Sequence, residues 1–207
     1  MKILLTGFNR FGKLKSNPSQ LVVEHFAAHA TDFGLNTLTA EVLPTEFARA
    51  GRRIALLIRK IRPDLIICLG VAQGIDGIHL ERVALNLDDA EAPDNSGSAR
   101  QGKLIRPEGP PAYWSTLPLE RMKAALERRR IAARISNHAG TYVCNHVFYI
   151  ARHEVERLHP RSLCGFIHLP SISSPRGKKS PQKPGLPLKV ILEAVEICLK
   201  SAQGSAS

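Results

Sequence analysis

Aromatic side chains are scarce in this sequence of 207 residues, with seven Phe, three Tyr and one Trp making up 5% of the chain. That scarcity leaves no alternation of rings and cations of the kind on which bases stack in single-strand nucleic-acid binders. Cysteine is sparse too. Cys68, Cys144, Cys164 and Cys198 form no Cys-x-x-Cys pair and stand in no zinc-ligand spacing with histidine, so no disulfide framework, metal or other cofactor is expected. Long apolar runs are missing: none approaches the ~20 residues that span a bilayer, so no membrane partner is expected. Before Thr6 stand one lysine and three apolar residues after the initial Met, too little for a secretory leader, which makes a reducing cytoplasm the expected location. Acidic residues are in deficit, 18 against 29 Lys plus Arg, for a net charge of +11. Arg128-Arg129-Arg130 and the basic stretch 176–183 give that charge local weight, yet no nucleic-acid module is recognisable. The expectation is weak, salt-sensitive adsorption and no specific nucleic acid.

What is present is alternation of strand-like and helix-like segments without internal repeats. A chain of this length suits one domain, residues 1–207, that buries roughly 70% of its unfolded surface. Residues 3–6 read as a buried strand, and Asn17-Pro18 supplies a cap and a first-turn proline for a helix to about residue 28. Residues 35–43 read as a second strand. Phe47, Ala50, Ile54, Leu57 and Ile61 recur at helical spacing with basic residues between them, and Pro63 ends that helix. Residues 64–70 are apolar without alternation, as a strand covered on both faces requires. A strand around Glu81 follows, then a polar stretch 88–111 read as a functional loop too polar for core. Helices over 117–129, 144–158 and 188–199 and strands over 132–137 and 162–168 complete the pattern. The class it defines is α/β, a three-layer αβα sandwich around a mixed, mostly parallel sheet. Residues 171–187 read as a mobile, basic, proline-rich connector.

Three segments carry chemistry. Ala139-Gly140-Thr141-Tyr142-Val143-Cys144-Asn145 is a small-residue turn that delivers Cys144 to a helix start, where unpaired amides and the positive helix end favour a thiolate and face a developing oxyanion. Ile78-His79-Leu80-Glu81 places a carboxylate on an apolar strand, and Gly165-Phe166-Ile167-His168-Leu169-Pro170 ends a strand in a histidine. Taken singly, Cys144 also reads as a buried hydrophobe, Glu81 as an ion-pair partner for Arg82 or another cation and His168 as a satisfied core histidine. Together they are a nucleophile, an orienting acid and a general base.

These segments resemble the pyroglutamyl peptidase I family of cysteine peptidases, also called pyrrolidone carboxyl peptidases. The likeness begins at Leu5-Thr6-Gly7-Phe8, Phe11-Gly12 and Asn17-Pro18-Ser19. It continues through Glu81-Arg82-Val83-Ala84 with Asn86, Pro93-Asp94-Asn95, Ala112-Tyr113 and Thr116-Leu117-Pro118, and closes on 139–145 and 166–170. The resemblance implies a thiol peptidase (an omega-peptidase) that removes an N-terminal pyroglutamyl residue from peptides and amides. It implies Cys144 as nucleophile, His168 as base and then acid, and Glu81 as the orienting carboxylate. It also implies a lactam pocket lined by Phe8, Phe11, Asn17, Ala92 and Val143, and an assembly that is often a homo-tetramer. Read from the residues alone, Phe8 and Phe11 also fit a loop anchored in the core, Asn17 a helix cap and Val143 plain packing. Other readings of the whole are a cysteine amidohydrolase for a related lactam or N-blocked amide, and a silent pyroglutamyl-binding homologue.

The chain departs from the family pattern at Asn9-Arg10, Lys13, Val71 and Glu91-Ala92. Arg10 and Glu91 reverse the family's usual signs, which fits either an Arg10–Glu91 ion pair or two solvated side chains. A small Ala92 is expected to loosen the grip on the ring.

Overall fold

The computed structural model describes residues 1–12, 16–35, 37–173 and 184–204. Lys13 and most of the expected connector, residues 174–183, lie outside them. Strand β1 (Ile3–Phe8) runs parallel between β2 (Leu38–Leu43) and β3 (Leu65–Val71). Parallel beside β3 lies β9 (Leu163–Leu169), and antiparallel to β9 lies β4 (Ile78–Leu85). The outer edge of β4 is shared by parallel β8 (Ala133–His138) and antiparallel β7 (Ala112–Trp114). The result is a seven-stranded mixed sheet among the described residues. Every residue of β1 and all but the last of β3 are buried, the continuous apolar pattern expected of strands covered on both faces.

Two apolar cores provide that cover. On one face β1, β3, β9 and β4 pack against α2 (Phe47–Ile61) and α4 (Val143–Leu158). The opposite face carries α1 (Pro18–His29), α3 (Leu119–Arg128) and α5 (Leu188–Gln203), giving the αβα sandwich expected from the sequence. Helix α2 buries Phe47, Ala50, Ile54, Leu57 and Ile58 and turns its arginines outward. It stops at Arg62, left-handed at φ 50°, just before Pro63, which cannot continue a helix.

The structure departs from the sequence reading in the second strand and in the stretch 88–111. The second strand starts at Leu38, because residues Ala30–Phe33 first close a 3-10 turn that ends on left-handed Gly34. The stretch 88–111 carries a two-stranded ribbon, β5 (Asp88–Ala90) with β6 (Arg100–Lys103). It also contributes buried carboxylates, contrary to the view that it is too polar for core. Asp88 is closed off by His146 and Arg100, each at 2.8 Å. Asp94 accepts from the backbone of Phe47, Ser96 and Ser98 and so caps α2, whose own N-cap Glu46 gives no capping side-chain bond. Charge this well partnered does not keep a segment at the surface. Among the described residues no helix is long and apolar enough to cross a membrane.

Candidate active site

Helix α4 sets the position of Cys144, its second residue. The turn before it passes through Gly140 at φ 75°, a conformation that favours glycine, and is clasped to the ribbon by paired bonds between Thr141 and Asp89. Asn145, one residue on, locks the helix start to the end of β4. Its Oδ1 accepts from the Leu85 N–H at 2.9 Å, and its Nδ2 donates to the carbonyls of Leu85 and Leu87, each at 2.9 Å. The N-cap Tyr142 gives the helix no capping side-chain bond, its hydroxyl donating instead to the Pro93 carbonyl, and the first helical hydrogen bond runs from the His146 N–H to the Tyr142 carbonyl. The Cys144 N–H therefore has no acceptor among the described residues and stands at the positive end of a 16-residue helix.

Sheet and helix meet at Gly70 on β3. A Cβ built there would lie 2.8 Å from the Cys144 Sγ and 2.8 Å from the Phe166 ring, so only glycine leaves room for the thiol. His168 lies one strand over on β9, and its Nδ1 is 2.8 Å from Glu81 Oε1. The carboxylate accepts a hydrogen bond from Nδ1–H, which leaves Nε2 for the thiol. Burial disfavours the imidazolium. The hydrogen bonds to Cys144 and Glu81, with the charges of both partners, outweigh it and raise His168 from 6.5 to about 9. Glu81 is 1% exposed and its Oε2 has no partner, so its one hydrogen bond goes to the imidazole. His79, opposite His168 in the strand register, is lowered mainly by burial.

The other thiols are set apart. Cys68 and Cys198 are fully buried and pushed up to about 12, chiefly by burial, and burial raises Cys164 well above the usual thiol range. Among the four cysteines only Cys144 is less than fully enclosed. No group of three or more metal-ligating side chains assembles among the described residues.

The expected pocket residues divide by exposure. Phe8 is 3% exposed, with its ring 6.5 Å from that of Phe166, which is itself 4.9 Å from the His168 ring. Half-buried Phe11 packs 5.1 Å from Tyr142, next to the nucleophile turn. Asn17 caps α1 through the Ser19 N–H and donates Nδ2 to the Asn9 carbonyl, so the cap reading holds for its side chain. Val143 is fully buried in the α2/α4 core, whereas Ala92 is exposed. Arg10 and Glu91 are both exposed and no ion pair joins them, which leaves the two as solvated side chains.

Sequence reasoning passed over the rim that ties these loops together. Asn9 Oδ1 accepts from the backbone and hydroxyl of Thr45, Asn95 donates to the Arg10 carbonyl, and the Asn95 N–H reaches the Thr45 carbonyl. Asn9, Thr45 and Asn95 thus join the loops after β1 and β2 to the segment before β6. Polar residues closing three loops onto one another carry no periodicity, so no pattern exposes them. Asn145 did carry a signal: an amide beside the nucleophile, at the start of a helix.

A mixed α/β sheet that brings a thiol at a helix N-terminus to an imidazole held by a buried carboxylate defines a cysteine hydrolase. The family model for pyroglutamyl peptidase matches residues 1–204. The chain is 40% identical over 201 residues to the pyrrolidone-carboxylate peptidase of Bacillus velezensis, covering 97% of this chain and 92% of that one. The Bacillus cereus enzyme of the same name is 37% identical over 198 residues, 96% of this chain and 91% of that one. Among solved structures, the Bacillus amyloliquefaciens pyroglutamyl peptidase I superposes with a TM-score of 0.88 at 38% identity, covering 98% and 97% of the two chains. A mutant pyrrolidone carboxyl peptidase from Pyrococcus furiosus gives 0.89 at 33% identity over 100% of both. The chain belongs to the pyroglutamyl peptidase family of cysteine peptidases.

Proposed function

We propose that the whole chain forms one peptidase domain that removes N-terminal pyroglutamate from peptides, with Cys144, His168 and Glu81 as its catalytic residues. The supporting observation is the placement of His168 between the Glu81 carboxylate and the Cys144 thiol at the start of α4. The Cys144 sulfur attacks the pyroglutamyl carbonyl carbon and the carbonyl oxygen takes up the electron pair. The unpaired Cys144 N–H is the donor aimed at that oxyanion. When the C–N bond breaks, the imidazolium gives its Nε2 proton to the departing amine and a thioester remains. His168, now neutral, removes a proton from water as that water attacks the thioester, and collapse returns pyroglutamate and the thiolate. Throughout, Glu81 holds the tautomer and ring orientation.

Phe8, Phe11, Asn17, Ala92 and Val143 form the proposed lactam pocket: rings and aliphatic carbons against the flat faces of the substrate ring, amides for its edge. Val143 acts there from beneath, as packing. A cytoplasmic location and a homo-tetramer belong to the same reading. The discriminating experiment compares pyroglutamyl, prolyl and glutamyl arylamides. A pocket that pairs buried polar groups with the lactam cleaves the first far faster, because the prolyl ring leaves those groups unpaired. Equal prolyl turnover, or none with any substrate, would refute the assignment.

A further inference from the structure

The α2/α4 face carries a feature the peptidase reaction does not use. Four concavities adjoin along α2, from the end of β2 past the neighbouring face of α4 to the turns that follow both helices. One, lined by Arg49, Arg52, Arg53 and Leu56, shares Arg52 and Leu56 with a neighbour of about 540 Å³ that also takes in Arg59, Arg100 and Arg106. Arg59 leads from there into a third, lined by Arg62, Arg157 and His159, and Arg62 and His159 lead into a fourth that ends at Arg161. The lining is not free of acid, but its carboxylates are engaged: Glu41 by Arg53, Glu154 by both arms of Arg59, and Asp64 by the Lys2 N–H. Arg52, Arg62, Arg106, Arg157 and Arg161 pair with no carboxylate among the described residues. Concavities that share lining residues thus gather five such guanidinium groups beside α2: Arg52 on the helix, Arg62 at its C-cap, Arg106 in the loop after β6, Arg157 on α4 and Arg161 just beyond α4.

Such a row fits a linear anion. Fifteen helical residues span about 22 Å, and a strand of nucleic acid carries a charge about every 3.4 Å along a duplex axis, so roughly six phosphates match the groove. No Phe, Tyr or Trp lines any of the four concavities, which removes base stacking and leaves the phosphates as the recognised group. We propose that the α2/α4 groove is a sequence-independent binding site for a linear polyphosphate backbone, separate from the peptidase centre. Guanidinium groups suit it, since each presents a planar fork to phosphate oxygens. Free polyphosphate and single-stranded nucleic acid share this chemistry.

The test is fluorescence anisotropy of a labelled oligothymidylate with the full-length protein across a salt series, with inorganic polyphosphate as competitor. Five contacts predict a slope of about −3.5 for log affinity against log salt, a loss of about a hundredfold between 50 and 200 mM. Arg52→Ala/Arg157→Ala should bring the slope to about −2 and that loss to about twentyfold, with arylamide turnover unchanged. Arg128→Ala/Lys189→Ala removes the same charge from exposed positions on α3 and α5, across the sheet, and should leave the slope alone. Competition by polyphosphate as strong as by unlabelled oligothymidylate assigns the site to phosphate of any source, and weaker competition assigns it to the nucleic-acid backbone. Equal losses from the two double variants would overturn the proposal in favour of net charge alone. So would the absence of binding at 50 mM salt, or tighter binding of polyglutamate than of either phosphate chain.

Discussion

Replacing Gly70 by alanine should cost this enzyme more activity than stability. The added Cβ would stand 2.8 Å from the Cys144 Sγ and 2.8 and 3.0 Å from two atoms of the Phe166 ring. Unstrained carbon contacts lie near 3.5 to 4.0 Å, so the neighbours must retreat by roughly 0.7 Å or more. Phe166 has little room: its ring is fully buried, with Phe8, Phe148 and His168 centred 6.5, 5.9 and 4.9 Å away. The half-buried thiol is the softer partner and should take most of the displacement, away from His168. Overpacking of this kind costs about 1–3 kcal/mol of stability. A misplacement approaching 1 Å at a reacting atom lowers turnover roughly 10²-fold. The assay pairs kcat on a pyroglutamyl arylamide with the rate of Cys144 alkylation and the midpoint of thermal unfolding. Gly102→Ala is the control: Gly102 sits at φ 58° with no atom within 4 Å of a built Cβ, so it should cost backbone strain of roughly 1–2 kcal/mol and leave kcat intact. Wild-type kcat and alkylation in Gly70→Ala would refute the argument that this position makes space for the nucleophile.

Protonation of His168 gives a second test. Its pKa rises from 6.5 to about 9 on folding, so the stability carried by the imidazolium is fully present below about 6.5 and is lost as pH rises through about 9. Glu81→Gln withdraws one of the two partners, and the NMR titration midpoint of the His168 ring should fall toward 6.5 while turnover drops to a small residual rate; an unmoved midpoint would show that the carboxylate does not support the charge. Asn145→Ala should destabilise the protein by about 2–4 kcal/mol, since three bonds to the end of β4 vanish and leave the Leu85 and Leu87 groups without those partners. Calorimetry showing a loss under about 1 kcal/mol would mean that water replaces the amide there.

The legible parts of this fold are those that follow from periodicity. Strands β1 and β3 show as unbroken apolar runs, and α2 as a stripe of Phe47, Ala50, Ile54 and Leu57, because burial on a fixed face repeats at a fixed spacing. The three proposed catalytic residues stand out in the sequence for a different reason, since their local motifs are distinctive enough to reveal a family. What periodicity cannot carry was missed. The β5–β6 ribbon lies in a stretch rich in Asp, Gly and Pro, and it folds because Asp88 finds His146 on a helix 58 positions later. The cap of α2 comes from Asp94, 47 residues downstream, where no capping pattern would place it. An Arg10–Glu91 pair was a plausible reading of two reversed signs, yet pairing also needs the side chains to meet, and both stay in solvent.

The arrangement also explains why the proposed catalytic residues, so distant in sequence, converge. Strands β3 and β9 are parallel, so Gly70 and His168 lie level at their carboxyl ends in direct register. Strand β4 then enters antiparallel to β9, which pairs His79 with His168 and puts Glu81 on the same sheet face, one diagonal step away. A parallel β4 would run its side chains in the opposite sequence along the shared edge, and Glu81, its one carboxylate, would stand level with a different part of β9. Asn145 then fixes α4 to the end of that same strand, so a single element, β4, positions both the acid and the start of the nucleophile helix. Slipping β4 by one residue would turn Glu81 to the other face and pull the Asn145 anchor out of register together. The geometry of the centre is therefore as rigid as the register of one strand, and the β4–β9 pairing is where substitutions far from Cys144 should be felt at the sulfur.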